Sequence, residues 1–203
     1  MKRTPHPFAL ALHPLHAVPA APPWNLSQLA DLMPEGPLRP AAVLVGLREH
    51  AAGTAVVLTR RHDALRLHAG QISFPGGRID AADGGPLVAA LRETDEEVGV
   101  PAKAIEPLGW LDPYATITGF HVLPLVARID PRRPLLANPQ EVAEAFEVPL
   151  DFLLDPANAR DVAIEWRGQQ RMLVEFHWGG HRIWGATAAM LVNLRERLQQ
   201  VAT

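Results

Sequence analysis

The stretch that decides the fold is GGRIDAADGGPLVAALRETDEEVGV, which runs from Gly76 to Val100. Its second half predicts a helix on which Glu93, Glu96 and Glu97 share one face, with Cβ atoms about 5–6 Å apart. Like charges at this spacing repel each other. A hard divalent cation neutralises them, because Mg²⁺ and Mn²⁺ take carboxylate oxygens and leave positions for water and phosphate. The stretch therefore predicts a catalytic metal site.

The ends of this helix are marked in the sequence. Gly85 and Pro86 provide a cap and a first-turn proline, and Gly99 followed by Pro101 ends the helix. Four apolar residues at helical spacing predict the core-facing stripe, with the acidic face pointing away from it: Leu87, Val88, Leu91 and Val98. Thr94 lies where this stripe favours an aliphatic residue. Arg92 and Glu96, one turn apart, are expected to form an ion pair.

An acidic run on a helix is most often a solvated face, and this is the alternative to a metal site. The surrounding residues favour the metal site. The run is preceded by FPGG, which ends at Gly77, and is followed by Gly99. A calcium loop around Asp80 and Asp83 is disfavoured, because the spacing does not fit an EF-hand and a closing glutamate is missing.

The segment resembles the Nudix box, in which a glycine and an early acid precede an Arg-Glu-aliphatic-any-Glu-Glu-any-Gly-aliphatic sequence. The matching residues are Gly77, Arg92, Glu93, Glu96, Glu97, Gly99 and Val100. Three features depart from the pattern. The early acid is Asp83 rather than Glu, eight residues rather than seven separate it from Arg92, and Thr94 replaces an aliphatic residue.

Upstream, LTRRHDALRLHAGQISFPGG from Leu58 to Gly77 is similar to the signature of the coenzyme A pyrophosphatase branch of Nudix hydrolases. That branch also tends to carry the one-residue extension of the box. The resemblance covers roughly Pro40 to Leu198, and two adjacent motifs of different chemistry make it specific. It implies an α/β/α sandwich with a mixed central sheet.

The resemblance also implies an activity: metal-dependent hydrolysis of CoA or acyl-CoA to adenosine 3′,5′-bisphosphate and 4′-phosphopantetheine or its acyl form. Glu93 and Glu97 would hold Mg²⁺ or Mn²⁺, and Glu96 would bind a second metal or position the water. The carbonyl of Gly76 or Gly77 would complete the shell. Glu93 and Glu96 both remain candidates for the general base. Candidate substrate-binding residues are Arg60, Arg61, His68, Gln71 and Arg78.

Two other functions stay open. A Nudix hydrolase of ADP-ribose, a dinucleotide or another nucleoside diphosphate derivative would share the metal residues and differ in the pocket. A non-catalytic nucleotide-binding module would keep the fold but usually lose box carboxylates, whereas all three glutamates are present here.

Composition indicates one domain, since 203 residues with 48% hydrophobic content bury a single sizeable core. We expect a Pro-rich, mostly extended arm with a short helix over residues 1–39 and the hydrolase domain over 40–203. No apolar run is long enough to span a membrane. We expect a cytoplasmic protein that could form a homodimer. Cysteine is absent, which excludes thiol catalysis. A net charge of −3 disfavours nucleic acid as a partner and favours a small-molecule substrate met by local arginines.

The remaining pattern predicts an α/β unit with a late hairpin around Arg167-Gly168 and a C-terminal amphipathic helix. The predicted helices are Asn25–Met33 and Trp184–Leu198. The predicted strands are Ala41–Arg48, Thr54–Arg60, Leu108–Leu111, His121–Ile129, Glu144–Val148, Val162–Trp166 and Met172–Trp178, and Gln71–Ile79 is predicted to be strand and turn ending at the glycines. The large aromatic residues are expected to be mostly core.

Overall fold

The structure is a computed structural model that describes residues 7–29, 31–62, 70–166 and 168–202. Its α-helices are α1 (Pro7–Ala11), α2 (Pro86–Val98), α3 (Leu150–Leu154) and α4 (Gly185–Ala202). Short 3-10 helices cover Leu26–Leu29, Ala102–Ala104 and Pro156–Asn158. The strands are β1 (Arg39–His50), β2 (Gly53–Arg61), β3 (Ile72–Ser73), β4 (Gly76–Arg78), β5 (Ile105–Trp110), β6 (Tyr114–Ala115), β7 (Phe120–Ile129), β8 (Val142–Pro149), β9 (Arg160–Trp166), β10 (Gln169–Trp178) and β11 (His181–Trp184).

The central sheet is mixed, as the sequence predicts. Its main order is β3-β2-β1-β7-β5, and β4, β6 and β8 pair with β1, β7 and β2 respectively. Strands β1 and β7 are parallel, whereas β1 pairs with β2 and β4 antiparallel. A separate three-stranded sheet, β11-β10-β9, contains the predicted hairpin, with Gln169 opposite Trp166.

Each face of the central sheet carries helices. Along β1 and β2 alternate residues point to opposite faces. Ala42, Leu44 and Val57 pack with Ala89 and Ala90 of α2 on one face. On the other face lies a larger cluster that includes residues of α1, α3, α4 and the second sheet: Phe8, Val45, Leu47, Val56, Leu58, Leu153, Phe176, Ile183, Leu191 and Leu194. This is the expected α/β/α sandwich.

Helix α2 begins and ends where the sequence predicts. Gly85 is the N-cap, Pro86 stands in the first turn, and Gly99 at φ 67° closes the helix in the left-handed conformation. The predicted apolar stripe is partly wrong. Val88 is 48% exposed, and the buried residues are Ala89, Ala90, Thr94, Glu97 and Val98.

Thr94 is accommodated in this buried face because its hydroxyl donates to the carbonyl of Ala90 at 2.7 Å. The small side chains of Ala89 and Ala90 let the helix approach the sheet closely. The helix is therefore rotated relative to the predicted stripe. As a result, Glu97 points inward rather than into solvent.

The predicted helix over Asn25–Met33 is only a 3-10 turn at Leu26–Leu29. The side chain of Asn25 does not extend the helix but pairs with the backbone of Ala115, donating to its carbonyl and accepting from its amide, both at 2.8 Å. Pro34 then disfavours helical backbone at the preceding residue. Trp110 is buried, as expected for a core aromatic residue.

The described residues of the N-terminal arm, 7–29 and 31–39, include α1 and a 3-10 helix and pack against the domain. Phe8 and Leu12 join the core around α4, and His13 forms a β-bridge with Trp110. Arg197 on α4 donates to the carbonyl of Ala11 at 2.6 Å. The apolar FALAL segment accounts for this packing, because it supplies Phe8 and Leu12, which are buried. No helix in the described ranges is long and apolar enough to cross a membrane.

Asp112 ties the arm to the domain. It accepts hydrogen bonds from His13 at 2.8 Å, Asn193 at 2.8 Å and Arg197 at 2.9 Å. Burial alone would raise the pKa of Asp112, but these hydrogen bonds outweigh it and hold the pKa below its usual value. Because the folded-state pKa is depressed, this stabilisation is present above the unfolded-state pKa and is lost as the pH falls through the folded-state pKa.

We expect Asp112→Asn to lower the free energy of unfolding by about 1–2 kcal/mol at pH 7, since the charged acceptor of three hydrogen bonds is removed. The difference from wild type should shrink below about pH 4, where the unfolded carboxyl is protonated. Urea denaturation of both proteins at pH 7 and at acidic pH measures this. Equal stability at pH 7 would show that Asp112 does not contribute to holding the arm.

Candidate active site

The three box glutamates have different environments on α2. Glu97 is buried, Glu93 is partly buried, and Glu96 is exposed. Glu97 and Glu93 lie one turn apart and face β4 of the central sheet, on the side where Gly76 and Gly77 run past the helix. The helix therefore presents two of its three glutamates to the sheet and one to solvent.

Glu97 is a carboxylate withdrawn from water. Only 2% of the residue is exposed. Burial raises the pKa of Glu97 to about 8, although the amide of Gly76 and the guanidinium of Arg61 partly oppose the shift. The Gly76 amide donates to Oε2 at 3.2 Å, and Nη1 of Arg61 lies 3.9 Å from Oε1. Such a group needs a strong positive partner to stay ionised at neutral pH.

Glu93 lies directly against the backbone of β4. A Cβ atom added to Gly77 would be 2.5 Å from both Cδ and Oε1 of Glu93. Only glycine therefore permits this approach. Burial raises the pKa of Glu93, opposed by Arg92, whose Nη1 lies 3.0 Å from Oε1.

Arg92 organises the exposed side of the helix. It forms the predicted pair with Glu96 at 2.9 Å, and its Nε donates to Asp83 at 2.7 Å. Hydrogen bonding from Arg92 holds the pKa of Asp83 below its usual value. Asp83, the early acid of the box, thus anchors Arg92 between the loop and the glutamates.

Glu141 is a residue of this site that the sequence did not single out. Its negative charge raises the pKa of both Glu93 and Glu97. The segment before β8 wraps the end of α2, because the amide of Asn138 donates to the carbonyl of Glu97 at 2.9 Å. The amide of His62 then donates to the carbonyl of Glu141 at 2.9 Å. Glu141 lies immediately before β8 but three residues before the predicted strand Glu144–Val148, and its proximity to the box depends on the tertiary fold.

The candidate substrate residues do not all meet. Arg61 reaches Glu97, whereas Arg60 points to the opposite face of β2, 3.8 Å from Glu144. Gln71 and Arg60 line a cleft of about 340 Å³ together with His181, Arg182 and Trp184. Arg78 lies on β4 near Phe120, 5.7 Å from the ring centre. His68 falls outside the described residues.

The donor chemistry fits Mg²⁺ or Mn²⁺. Glu93, Glu97 and Glu141 offer only oxygen ligands, and the guanidinium of Arg61, 3.9 Å from the buried carboxylate of Glu97, lies beyond hydrogen-bond distance. As the side chains of the described residues stand, no three acidic or histidine groups are gathered closely enough to hold an ion. Glu93 faces Arg92 instead. Metal binding would thus require the carboxylates to turn toward each other.

Comparison with known proteins agrees with the geometry. The model of the NUDIX domain matches residues 37–166. An uncharacterized Nudix hydrolase, NudL, from Pectobacterium atrosepticum is 42% identical over 172 residues, covering 84% of this chain and 88% of that protein. The NudL protein of Photorhabdus laumondii, also uncharacterized, is 40% identical over 144 residues, covering 71% of this chain and 77% of that protein.

A solved structure supports the fold. The crystal structure of a MutT/nudix family protein from Enterococcus faecalis aligns with a TM-score of 0.55 at 17% identity, covering 89% of this chain and 70% of that chain. The two proteins thus share the mixed sheet and flanking helices although their sequences are only 17% identical. With the box glutamates on α2, the domain match and these relatives, the chain belongs to the Nudix hydrolase family.

Proposed function

We propose that this Nudix hydrolase splits the pyrophosphate bond of coenzyme A or acyl-CoA, yielding adenosine 3′,5′-bisphosphate and 4′-phosphopantetheine or its acyl form. One observation carries the proposal: described residues near both ends of the Leu58–Gly77 signature meet the box glutamates in space. Arg61 of the signature approaches Glu97, and the closing Gly76 and Gly77 contact Glu97 and Glu93. Residues of the CoA-type signature therefore form one wall of the hydrolytic site.

The reaction needs neutralised phosphate charge, an activated water and in-line placement. A bound Mg²⁺ or Mn²⁺ supplies charge neutralisation and lowers the pKa of water. Glu93 and Glu97 would hold the metal, with Glu141 and a carbonyl of Gly76 or Gly77 as further ligands. Glu96 would position the water or serve a second metal after leaving Arg92. Glu93 and Glu96 remain the two candidates for accepting the proton of the water.

Arg61 is the best-placed cation for the diphosphate. It lies on the α2 face of the sheet beside Glu97, at a distance of 3.9 Å that leaves its donors available to other partners. A guanidinium binds phosphate oxygens in bidentate fashion. Gln71 and Arg60 would contact a more distant part of the substrate in the 340 Å³ cleft.

A divalent metal should raise the melting temperature, because a ligand that binds only the native state stabilises it by linkage. At a metal concentration ten times the dissociation constant, we expect about 1.4 kcal/mol and thus a rise of about 3–6 °C. EDTA should reverse the rise, and Glu97→Gln should abolish most of it. Thermal melts with millimolar Mg²⁺ or Mn²⁺ test this. Coincident melts, with calorimetry detecting no binding, would show that the glutamate cluster does not bind a divalent metal.

The substrate is tested by steady-state kinetics of purified protein on CoA, acetyl-CoA, ADP-ribose and NADH, each with Mg²⁺ and with Mn²⁺. Glu97→Gln purified in parallel controls for contaminating hydrolases. We expect the highest kcat/KM on CoA or its acyl form. A higher kcat/KM on ADP-ribose or NADH would overturn the CoA assignment in favour of another nucleoside diphosphate derivative. No turnover of any substrate would favour a nucleotide-binding module.

A further inference from the structure

Two guanidinium groups lie near one phenyl ring on the face of the central sheet opposite α2. Cζ of Arg39 lies 4.1 Å from the ring centre of Phe120, and Cζ of Arg78 lies 5.7 Å from the same point. Both arginines are exposed. We call the side chains of Arg39, Arg78 and Phe120 the arginine pair site.

The strand register accounts for this arrangement. Arg39 stands opposite Phe120 in the β1/β7 ladder, and Arg78 stands opposite Ala41 in the β1/β4 ladder. Because side chains alternate across a strand, Arg39 and residue 41 point to the same face, and so do their partners. Gly77 faces α2 and Glu93, whereas Arg78, the next residue, faces the other side of β4. Arg78 thus directly follows the backbone that contacts Glu93, on the opposite face of β4.

Neither guanidinium has a carboxylate within 4.0 Å in the part of the chain that the structure describes. The only hydrogen bond of either side chain there is from Nη2 of Arg39 to the carbonyl of Thr118 at 2.8 Å. By contrast, Arg48, Arg92 and Arg128 all form ion pairs. Two like charges brought together without a counter-charge repel each other, and an anion bound between them would relieve the repulsion.

We propose that the arginine pair site binds a phosphate monoester that the substrate carries in addition to its diphosphate. The proposal rests on the proposed function, in which the diphosphate lies beside Glu93, Glu97 and Arg61 on the α2 face. Among the described strands β4 pairs only with β1, so a second anionic group of the same substrate would reach Arg39 and Arg78 around the other edge of β4. A phosphate monoester suits two guanidinium groups because it is doubly charged and accepts bidentate hydrogen bonds.

On CoA this group is the 3′-phosphate of the ribose. The site would therefore distinguish CoA from dephospho-CoA, which has the same diphosphate but lacks that phosphate. It would also explain how a Nudix active site favours CoA over ADP-ribose. A 2′-phosphate on a dinucleotide has the same chemistry. Binding of adenosine 2′,5′-bisphosphate distinguishes a 2′-phosphate from the 3′-phosphate of CoA.

The test compares kcat/KM for CoA and dephospho-CoA in wild type, Arg39→Gln, Arg78→Gln and the double variant. We expect wild type to favour CoA by about tenfold or more, and the double variant to bring the ratio close to one. Arg78→Lys should keep part of the preference, since it retains the charge. Arg132→Gln is the matched control, because Arg132 is an exposed arginine whose pair with Asp130 does not involve β4. Melting temperatures verify that the variants are folded.

A binding measurement makes the two proposals separable. Calorimetry should show that wild type binds adenosine 3′,5′-bisphosphate more tightly than AMP. In the double variant the ratio of the two dissociation constants should be about tenfold smaller. Adenosine 2′,5′-bisphosphate in parallel shows which phosphate position the site takes. Loss of the preference in a protein that does not hydrolyse CoA would support the site while overturning the proposed function. If the protein hydrolyses CoA but the double substitution leaves the ratio of kcat/KM for CoA to that for dephospho-CoA unchanged, with no loss or with equal losses on both substrates, the site is overturned.

Discussion

Glu97→Gln should lower kcat by a factor of about 10² or more while the protein stays folded, because it removes the charge of the proposed metal ligand and keeps the shape of the side chain. Glu93→Gln should have an effect of the same order. In the metal-free protein Glu97→Gln should be as stable as wild type or more stable, since a neutral amide replaces a carboxylate that is 2% exposed and whose pKa burial raises. Steady-state kinetics at saturating metal and thermal melts measure both effects.

Glu196→Gln provides the matched control, because Glu196 is an exposed glutamate on α4, away from the box. Its kcat should equal that of wild type. Near-normal turnover of Glu97→Gln at saturating Mg²⁺ and Mn²⁺ would end the assignment of Glu97 as a metal ligand.

Gly77→Ala should reduce kcat by about 10- to 100-fold with little change in melting temperature. The new Cβ would lie 2.5 Å from Cδ of Glu93. That atom belongs to the end of a flexible side chain, so the carboxylate can move aside at low cost, but it leaves its position in the site. Displacements of about 1 Å in a catalytic constellation cost up to about 10²-fold in rate.

Gly76→Ala, one residue earlier, provides the contrast. Its Cβ would lie 2.5 Å from the carbonyl oxygen of Ala42 and 2.6 Å from Cα of Val43, and its φ of 153° disfavours side chains. Because backbone atoms cannot rotate away, we expect a loss of about 3 kcal/mol in the free energy of unfolding. Normal kcat in Gly77→Ala, with Glu93 still required for activity, would show that Glu93 acts from a different position.

The local signals in the sequence predicted α2 well. Gly85, Pro86 and Gly99 fix the ends of the helix, and 3.6-residue spacing places Glu93 and Glu97 on one face. The rotation of the helix was not predictable from the apolar stripe alone. Small residues allow close packing, and this favours Ala89 and Ala90 over the larger Val88 at the interface with the sheet.

The rest of the site depends on contacts between distant segments. From the sequence, Arg60 and Arg61 are equally good candidates for contact with substrate. Alternation along the strand places their side chains on opposite faces. Only the sheet shows that Arg61 is the one that meets Glu97. Glu141 reaches the box because its segment binds the end of α2. Arg39 and Phe120 become neighbours of Arg78 only through the parallel pairing of β1 and β7. Such pairings are set by the whole core rather than by any local motif.

The most direct test of CoA pyrophosphohydrolase activity is an internal competition. Wild-type protein is incubated with equimolar CoA, ADP-ribose and NADH in one solution with Mg²⁺ or Mn²⁺, and the substrates and products are followed by mass spectrometry. Relative rates of disappearance give the ratios of kcat/KM directly. We expect CoA to disappear first, with equal amounts of adenosine 3′,5′-bisphosphate and 4′-phosphopantetheine formed. Consumption of ADP-ribose or NADH ahead of CoA would contradict this expectation.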